Sequence, residues 1–211
     1  MATKNKLALN KSEVEVIRPP ENPNAKLWRY MDFAKFVSML EYQGIFFTRS
    51  DCLGDPFEGS FTQVNAAARA TYYNQLGLSQ DSIKASSDFA KWIRMWTFVT
   101  CWHMNEHESA AMWKLYAEVD GSIAIQTTFR KLEKAIVKRK VKKQVVSKNT
   151  RYLDLFGSSI GVVRYIDYEK ERISEGNVYY PFFHKRKSFQ HEHEVRALFS
   201  KCPITESRII W

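Results

Sequence analysis

His191-Glu192-His193-Glu194-Val195-Arg196-Ala197-Leu198-Phe199 decides the reading of the fold, because its side chains alternate in kind along a predicted β-strand. A strand has period two, so Glu192, Glu194 and Arg196 fall on one face and Val195, Ala197 and Phe199 on the other. The apolar face is core. The charged face is either a solvated surface or the floor of a site, and spacing alone leaves both readings open.

Upstream of this strand, short strands and helices alternate without regular βαβ units. Leu27 to Tyr30 reads as a first strand. Asp32 is its helix N-cap candidate, and Phe33, Phe36, Val37 and Leu40 make an apolar stripe that Gly44 closes. Ile45 to Thr48 is a second strand. The spacing predicts helices near Thr62 to Asn74 and Ser87 to Trp96, a strand over Phe98 to Trp102, and a short helix from Ala110 to Ala117 capped by Ser109. A strand over Ser122 to Gln126 follows, then a helix, strands at Lys142 to Val146 and Val162 to Tyr168, and an aromatic segment from Tyr179 to Phe183. The pattern predicts an α+β fold: one domain over 26–211, a twisted mixed, mainly antiparallel sheet flanked by helices. Residues 1–25, polar and carrying Pro19, Pro20 and Pro23, read as a flexible N-terminal arm.

The chain has 211 residues, 45% of them hydrophobic, enough for a well-buried single domain. No apolar run is long enough for a membrane span, and Met1 to Asn10 lacks the apolar core of a signal peptide. The expectation is a cytoplasmic protein with no membrane partner. Cys52, Cys101 and Cys202 are odd in number and widely spaced, which reads as reduced core thiols rather than a disulfide framework.

The net charge of +9 is concentrated in one segment. Arg130, Lys131 and Lys134, then Lys138, Arg139, Lys140, Lys142, Lys143 and Lys148, oppose the single acid Glu133. Phe129, Leu132, Ala135 and Ile136 recur beneath them at helical spacing, so the strip is either the solvated side of an amphipathic helix or a phosphate-binding surface. In the second reading, Lys138, Arg139, Lys140, Lys142 and Lys143 make a nucleic-acid-binding or nuclease-like module over 130–148, with strongly salt-dependent binding.

Metal chemistry has little support. His103-Met104-Asn105-Glu106-His107 matches a zinc-hydrolase spacing, but that chemistry needs both imidazoles on one helical face. Here His103 ends a strand and the next helix starts after Ser109. His191 and His193 fall on the Val195 side by parity. No metal is expected, and no glycine-rich phosphate loop or nucleophile elbow is present.

Four elements in order carry a resemblance: Leu27-Trp28-Arg29-Tyr30, Asp55-Pro56-Phe57-Glu58, Ala111 to Ala117 with Gly121 to Ile125, and Lys185 to Arg196. Over about residues 26–199 the chain resembles the bacterial family catalogued as domain of unknown function 2971, which carries no established activity. It resembles ADP-ribosyltransferase domains more distantly, through a first strand bearing a basic residue, a following helix, a central aromatic element and a closing strand bearing a glutamate. That resemblance implies an NAD-cleaving or ADP-ribosyl-transferring enzyme with NAD as its substrate. It implies Glu194 as the catalytic carboxylate with Glu192 beside it to orient an acceptor. Arg29, Tyr116 and Arg196 would be the residues that hold the cofactor.

The chemistry suits those residue types. Breaking the nicotinamide glycosidic bond develops positive charge on the ribose, which a nearby carboxylate stabilises. Arginine pairs with pyrophosphate oxygens through a rigid fork, and a tyrosine ring offers nicotinamide a stacking face. Other readings stay open. Arg29 could pair structurally with Glu194, Asp55 could cap a turn, and Trp113 and Tyr116 could be core contacts. The same pocket could also hold a small phosphorylated ligand without turning it over.

Overall fold

A computed structural model describes residues 17–77, 79–116, 121–137 and 151–204. Its strands are β1 (Lys26–Met31), β2 (Thr48–Arg49), β3 (Thr97–Met104), β4 (Ile123–Thr128), β5 (Arg151–Val162), β6 (Arg164–Ile166), β7 (His184–Arg186) and β8 (Glu194–Ile204). Its helices are α1 (Phe33–Glu41), α2 (Gln63–Gln75), α3 (Gln80–Met95), α4 (Ala110–Tyr116) and α5 (Phe129–Val137). The main sheet runs β4-β1-β3-β8-β5, with β2 added to β3. Every pairing within it is antiparallel. Among the described residues the main sheet is therefore not itself mixed, and parallel pairing is confined to the separate β6–β7 pair. The fold is α+β, an open antiparallel sheet flanked by helices.

Register assigns the two faces. Val99, Cys101 and His103 of β3 pair with Leu198, Arg196 and Glu194 of β8, whereas Thr100 and Trp102 pair with Ala197 and Val195. On the second face Trp102 and Val195 pack with Leu27 under Phe129 and Leu132 of α5. The amphipathic reading of α5 holds, with Arg130, Lys131 and Lys134 outward. Lys138, Arg139, Lys140, Lys142 and Lys143, and the strand expected at Lys142 to Val146, lie outside the described residues. On the first face Val99 and Leu198 pack with Ile93 of α3 and with Tyr179, Phe182 and Phe183 from the turn before β7.

Several expectations change. Ile17 packs into two core clusters, Ala25 is buried, and the Val162 N–H donates to the Arg18 carbonyl, so residues 17–25 belong to the domain rather than to a loose arm. Gly161 permits this approach, since a Cβ there would sit 2.5 Å from Ile17. The strand expected at Val162 to Tyr168 is the end of β5 followed by β6, and β5 starts eleven residues earlier. Gly157, Ser158, Ser159 and Gly161 hide it, because such residues lack β-propensity. Gly157, at φ 71°, sits where the register shifts between Asp154 and Ser158. The second strand is only Thr48–Arg49, and α3 begins at Gln80 because Ser79 caps Ser82 N–H. The stripe on α1 is not core: Phe33 and Leu40 are each 57% exposed. Cys52 is also exposed, and all three cysteines are free thiols.

Candidate functional site

The sheet opens beside the middle of β3. One edge of β3 is occupied by β8 from Thr97 to His103. On the other edge β1 pairs at Trp28↔His103 and then leaves, while β2 joins at Thr48↔Val99. Thr100 to Trp102 lie between these two pairings. A cavity of about 300 Å³ occupies the split, reached by side chains from both faces. That is the lower end of the range for small-molecule sites. A larger cavity, about 570 Å³, lies between residues 17–22 and the β5–β7 region, away from the carboxylates, so the chemistry belongs to the smaller one.

A buried ionic cluster forms one wall. Arg196 has no exposed surface. Its Nε donates to Glu194 Oε1 at 2.6 Å and its Nη2 to Glu194 Oε2 at 3.0 Å. Nη1 donates to Glu58 Oε1 and to the Phe182 carbonyl, and Nη2 also reaches Glu58 Oε2 at 3.3 Å. These bonds use all five N–H donors of the guanidinium. Arg196 therefore has none left for a ligand, and its task is to hold two carboxylates. Lys185 Nζ lies 2.5 Å from Glu192 Oε2 and 3.4 Å from Glu194 Oε2. Burial works against its charge, but Glu194 and Glu192 outweigh that and raise the Lys185 pKa.

The two motif carboxylates have unlike surroundings. Burial disfavours the charge on Glu194, yet Arg196 and Lys185, with the Cys101 thiol donating to it, hold its pKa down at about 2. Burial raises Glu58 against the pull of Arg196. Of the two carboxylates sharing that arginine, Glu58 takes a proton first because Lys185 sits against Glu194. Glu192 has a lighter load: one oxygen takes Lys185 and the other takes the Tyr116 hydroxyl at 3.1 Å. Burial, then the Glu192 charge, raises the Tyr116 pKa, so the phenol stays a donor.

Glu192 does not reach this cluster by strand parity. It ends a 3₁₀ turn over Lys187–Glu192, and His193 follows in the left-handed region at φ 40°. His103 accounts for the placement, because its Nδ1 lies 2.6 Å from the Glu192 carbonyl and donates to it. Burial lowers the His103 pKa, so the ring is neutral with a lone pair on Nε2, which is buried and without a hydrogen-bond partner.

Arg29 lies on the opposite face from Glu194, since it follows Leu27 in parity and Leu27 pairs with Met104. The ion pair weighed for these two does not form. Arg29 Nη2 donates to the Phe46 carbonyl at 3.0 Å and its guanidinium sits 5.8 Å from the Trp102 ring centre. Among the described residues it has no carboxylate partner, and burial lowers its pKa. Beside it, Trp102 Nε1 and Thr100 Oγ1 are buried with no hydrogen-bond partner. Each such orphan costs about 1–3 kcal/mol when nothing satisfies it.

Asp55 caps its turn, accepting from Phe57 N–H at 3.1 Å, and also pairs with Arg186 at 3.0 Å. Trp113 is half-buried, edge-on to Tyr30, with its Nε1 donating to Glu108. Sequence reading missed Glu58, Lys185, Cys101 and the β3 side chains as parts of the site. Glu58 was legible only as part of a motif. The signal beside it was Gly59, whose φ of 66° and contact with the Phe182 ring leave no room for a Cβ. No group of three metal-ligating side chains occurs among the described residues. No family model, no curated protein and no solved structure matches this chain.

Proposed function

We propose that the split in the sheet is the active site of an NAD-cleaving or ADP-ribosyl-transferring enzyme, of ADP-ribosyltransferase-like architecture. The observation that carries this reading is a half-buried guanidinium, Arg29, that has no carboxylate partner among the described residues and lines the same cavity as the carboxylates Glu192 and Glu194. A ligand with an anionic phosphate at one end and a ribose bond to be broken at the other uses both walls. Arg29 would hold a pyrophosphate oxygen, and the half-exposed Tyr116 ring at the cavity wall would meet the nicotinamide end.

The two carboxylates divide the work. Glu194 accepts from Arg196 and Lys185 and serves as the positioning residue. Glu192 keeps a free lone pair on each oxygen, so it is the carboxylate that can face the ribose. When the C–N bond breaks, the electron pair leaves with nicotinamide and positive charge develops on the ribose, which Glu192 stabilises. The acceptor oxygen then bonds to the ribose carbon and its proton passes to Glu192.

The test is incubation of the purified protein with labelled NAD, alone and with protein, RNA or DNA as acceptor, following free nicotinamide and transferred label. Glu192→Gln should reduce turnover by about 10²- to 10⁴-fold at a temperature where its far-ultraviolet circular dichroism still matches that of the wild type. The proposal fails if wild-type protein releases no nicotinamide under any of these conditions. It also fails if Glu192→Gln turns over normally.

A further inference from the structure

We infer that Arg29, Thr100 and Trp102 together form an oxyanion pocket that takes a phosphate group of the ligand. This rests on the reading of Arg29 given under the proposed function and adds two ligand donors to it. Thr100 and Trp102 are two apart on β3, and register puts them on the same face as Arg29. All three line the one cavity. The Arg29 guanidinium lies 5.8 Å from the Trp102 ring centre, and Thr100 stands two residues before Trp102 on that same face of β3.

Thr100 and Trp102 carry unmet hydrogen-bonding capacity. Buried polar groups in folded chains nearly always have partners. Here two side chains that can donate, two apart on one strand, have none among the described residues, and both line the cavity with a guanidinium that makes a single described hydrogen bond. All three can donate, and the indole and guanidinium can do nothing else. Unpartnered donors lining one cavity are completed by an acceptor-rich anion, not by a cation or an apolar group. A phosphate oxygen cluster fits because it can accept from several directions at once. Glu194 lies on the opposite face of β3, so the anion would sit at the far end of the same cavity, across the split from the carboxylates.

Pyrophosphate is the probe. It should bind the wild-type protein by calorimetry and raise its thermal midpoint. Thr100→Val, which keeps shape and removes one donor, should weaken binding about three- to tenfold, the worth of one hydrogen bond, and Trp102→Phe, which removes the indole N–H together with part of the ring, should weaken it at least as much. Thr100→Ser should bind like the wild type. Without pyrophosphate, Thr100→Val should be at least as stable as the wild type, because it removes an orphan hydroxyl; this excludes misfolding as the cause of weak binding. The inference is overturned if the wild type does not bind pyrophosphate. It is equally overturned if Thr100→Val and Trp102→Phe bind as tightly as the wild type, which is the result expected when the basic segment 130–148 captures the anion. Pyrophosphate binding that depends on these donors, without NAD cleavage, would leave the pocket standing and sink the reaction. NAD cleavage indifferent to both substitutions would do the reverse.

Discussion

Replacing Arg196 by methionine tests whether the buried cluster holds the closing strand in place. The substitution keeps an unbranched apolar stem of similar reach and removes five hydrogen bonds: two to Glu194, two to Glu58 and one to the Phe182 carbonyl. It leaves Glu58 and Glu194 buried, with Lys185 as the remaining cation against Glu194. Charge-assisted hydrogen bonds contribute about 1.5–3 kcal/mol each, but members of one network do not add. Removing one partner of a buried ion pair costs about 3–5 kcal/mol, and that range is the expectation. For a chain of this size it lowers the thermal midpoint by about 6–20 °C. Urea denaturation with an unchanged m-value would measure it directly. Adding Glu58→Gln and Glu194→Gln to Arg196→Met should recover more than half of the loss, because the penalty comes from uncompensated charge rather than from shape. Arg196→Met within about 1 kcal/mol of the wild type, or a triple variant no more stable than the single one, would refute the reasoning.

Gly59→Ala should destabilise by about 2–4 kcal/mol, combining a left-handed backbone with a Cβ 2.3 Å from the Phe182 ring. A thermal midpoint unchanged from the wild type would contradict that contact. Acid should also destabilise the fold. Glu194 has a folded pKa of about 2 against an ordinary 4.5, so the unfolded chain takes up its proton first and stability falls as pH drops between those values. His103, lowered from 6.5, has the same sign from pH 6.5 downward, while Glu58, raised above its ordinary 4.5, opposes it. Urea titrations at pH 7, 5 and 3 should therefore show the steepest loss between 5 and 3, and Glu194→Gln should flatten it. A stability that is level from pH 5 to 3 would count against the depressed carboxylate.

Much of the local structure was legible because it is encoded locally. The N-caps Asp32 and Ser109 accept from N–H groups three residues on, and the apolar side of α5 is written at helical spacing. The α1 stripe shows the limit of such patterning. Phe33, Val37 and Leu40 have core spacing but no covering layer among the described residues, since periodicity reports which side chains share a face and not whether anything lies against it.

The sequence by itself determined that β8 is a strand with Glu194 and Arg196 on one face and Val195 and Ala197 on the other, because alternation is a property of a single chain segment. It also determined the helices that Asp32 and Ser109 cap and the α+β class. Only the tertiary structure decided what that charged face does. Glu58 reaches Arg196 from 138 positions away, and the β1–β2 split around Thr100 to Trp102 exists only once three strands are paired. Glu192 reaches the cluster through a left-handed His193 and the His103 hydrogen bond, against strand parity. Arg29 and Glu194, both polar residues of core strands, end on opposite sides of the sheet because register, which depends on long-range pairing, assigns each side chain its face.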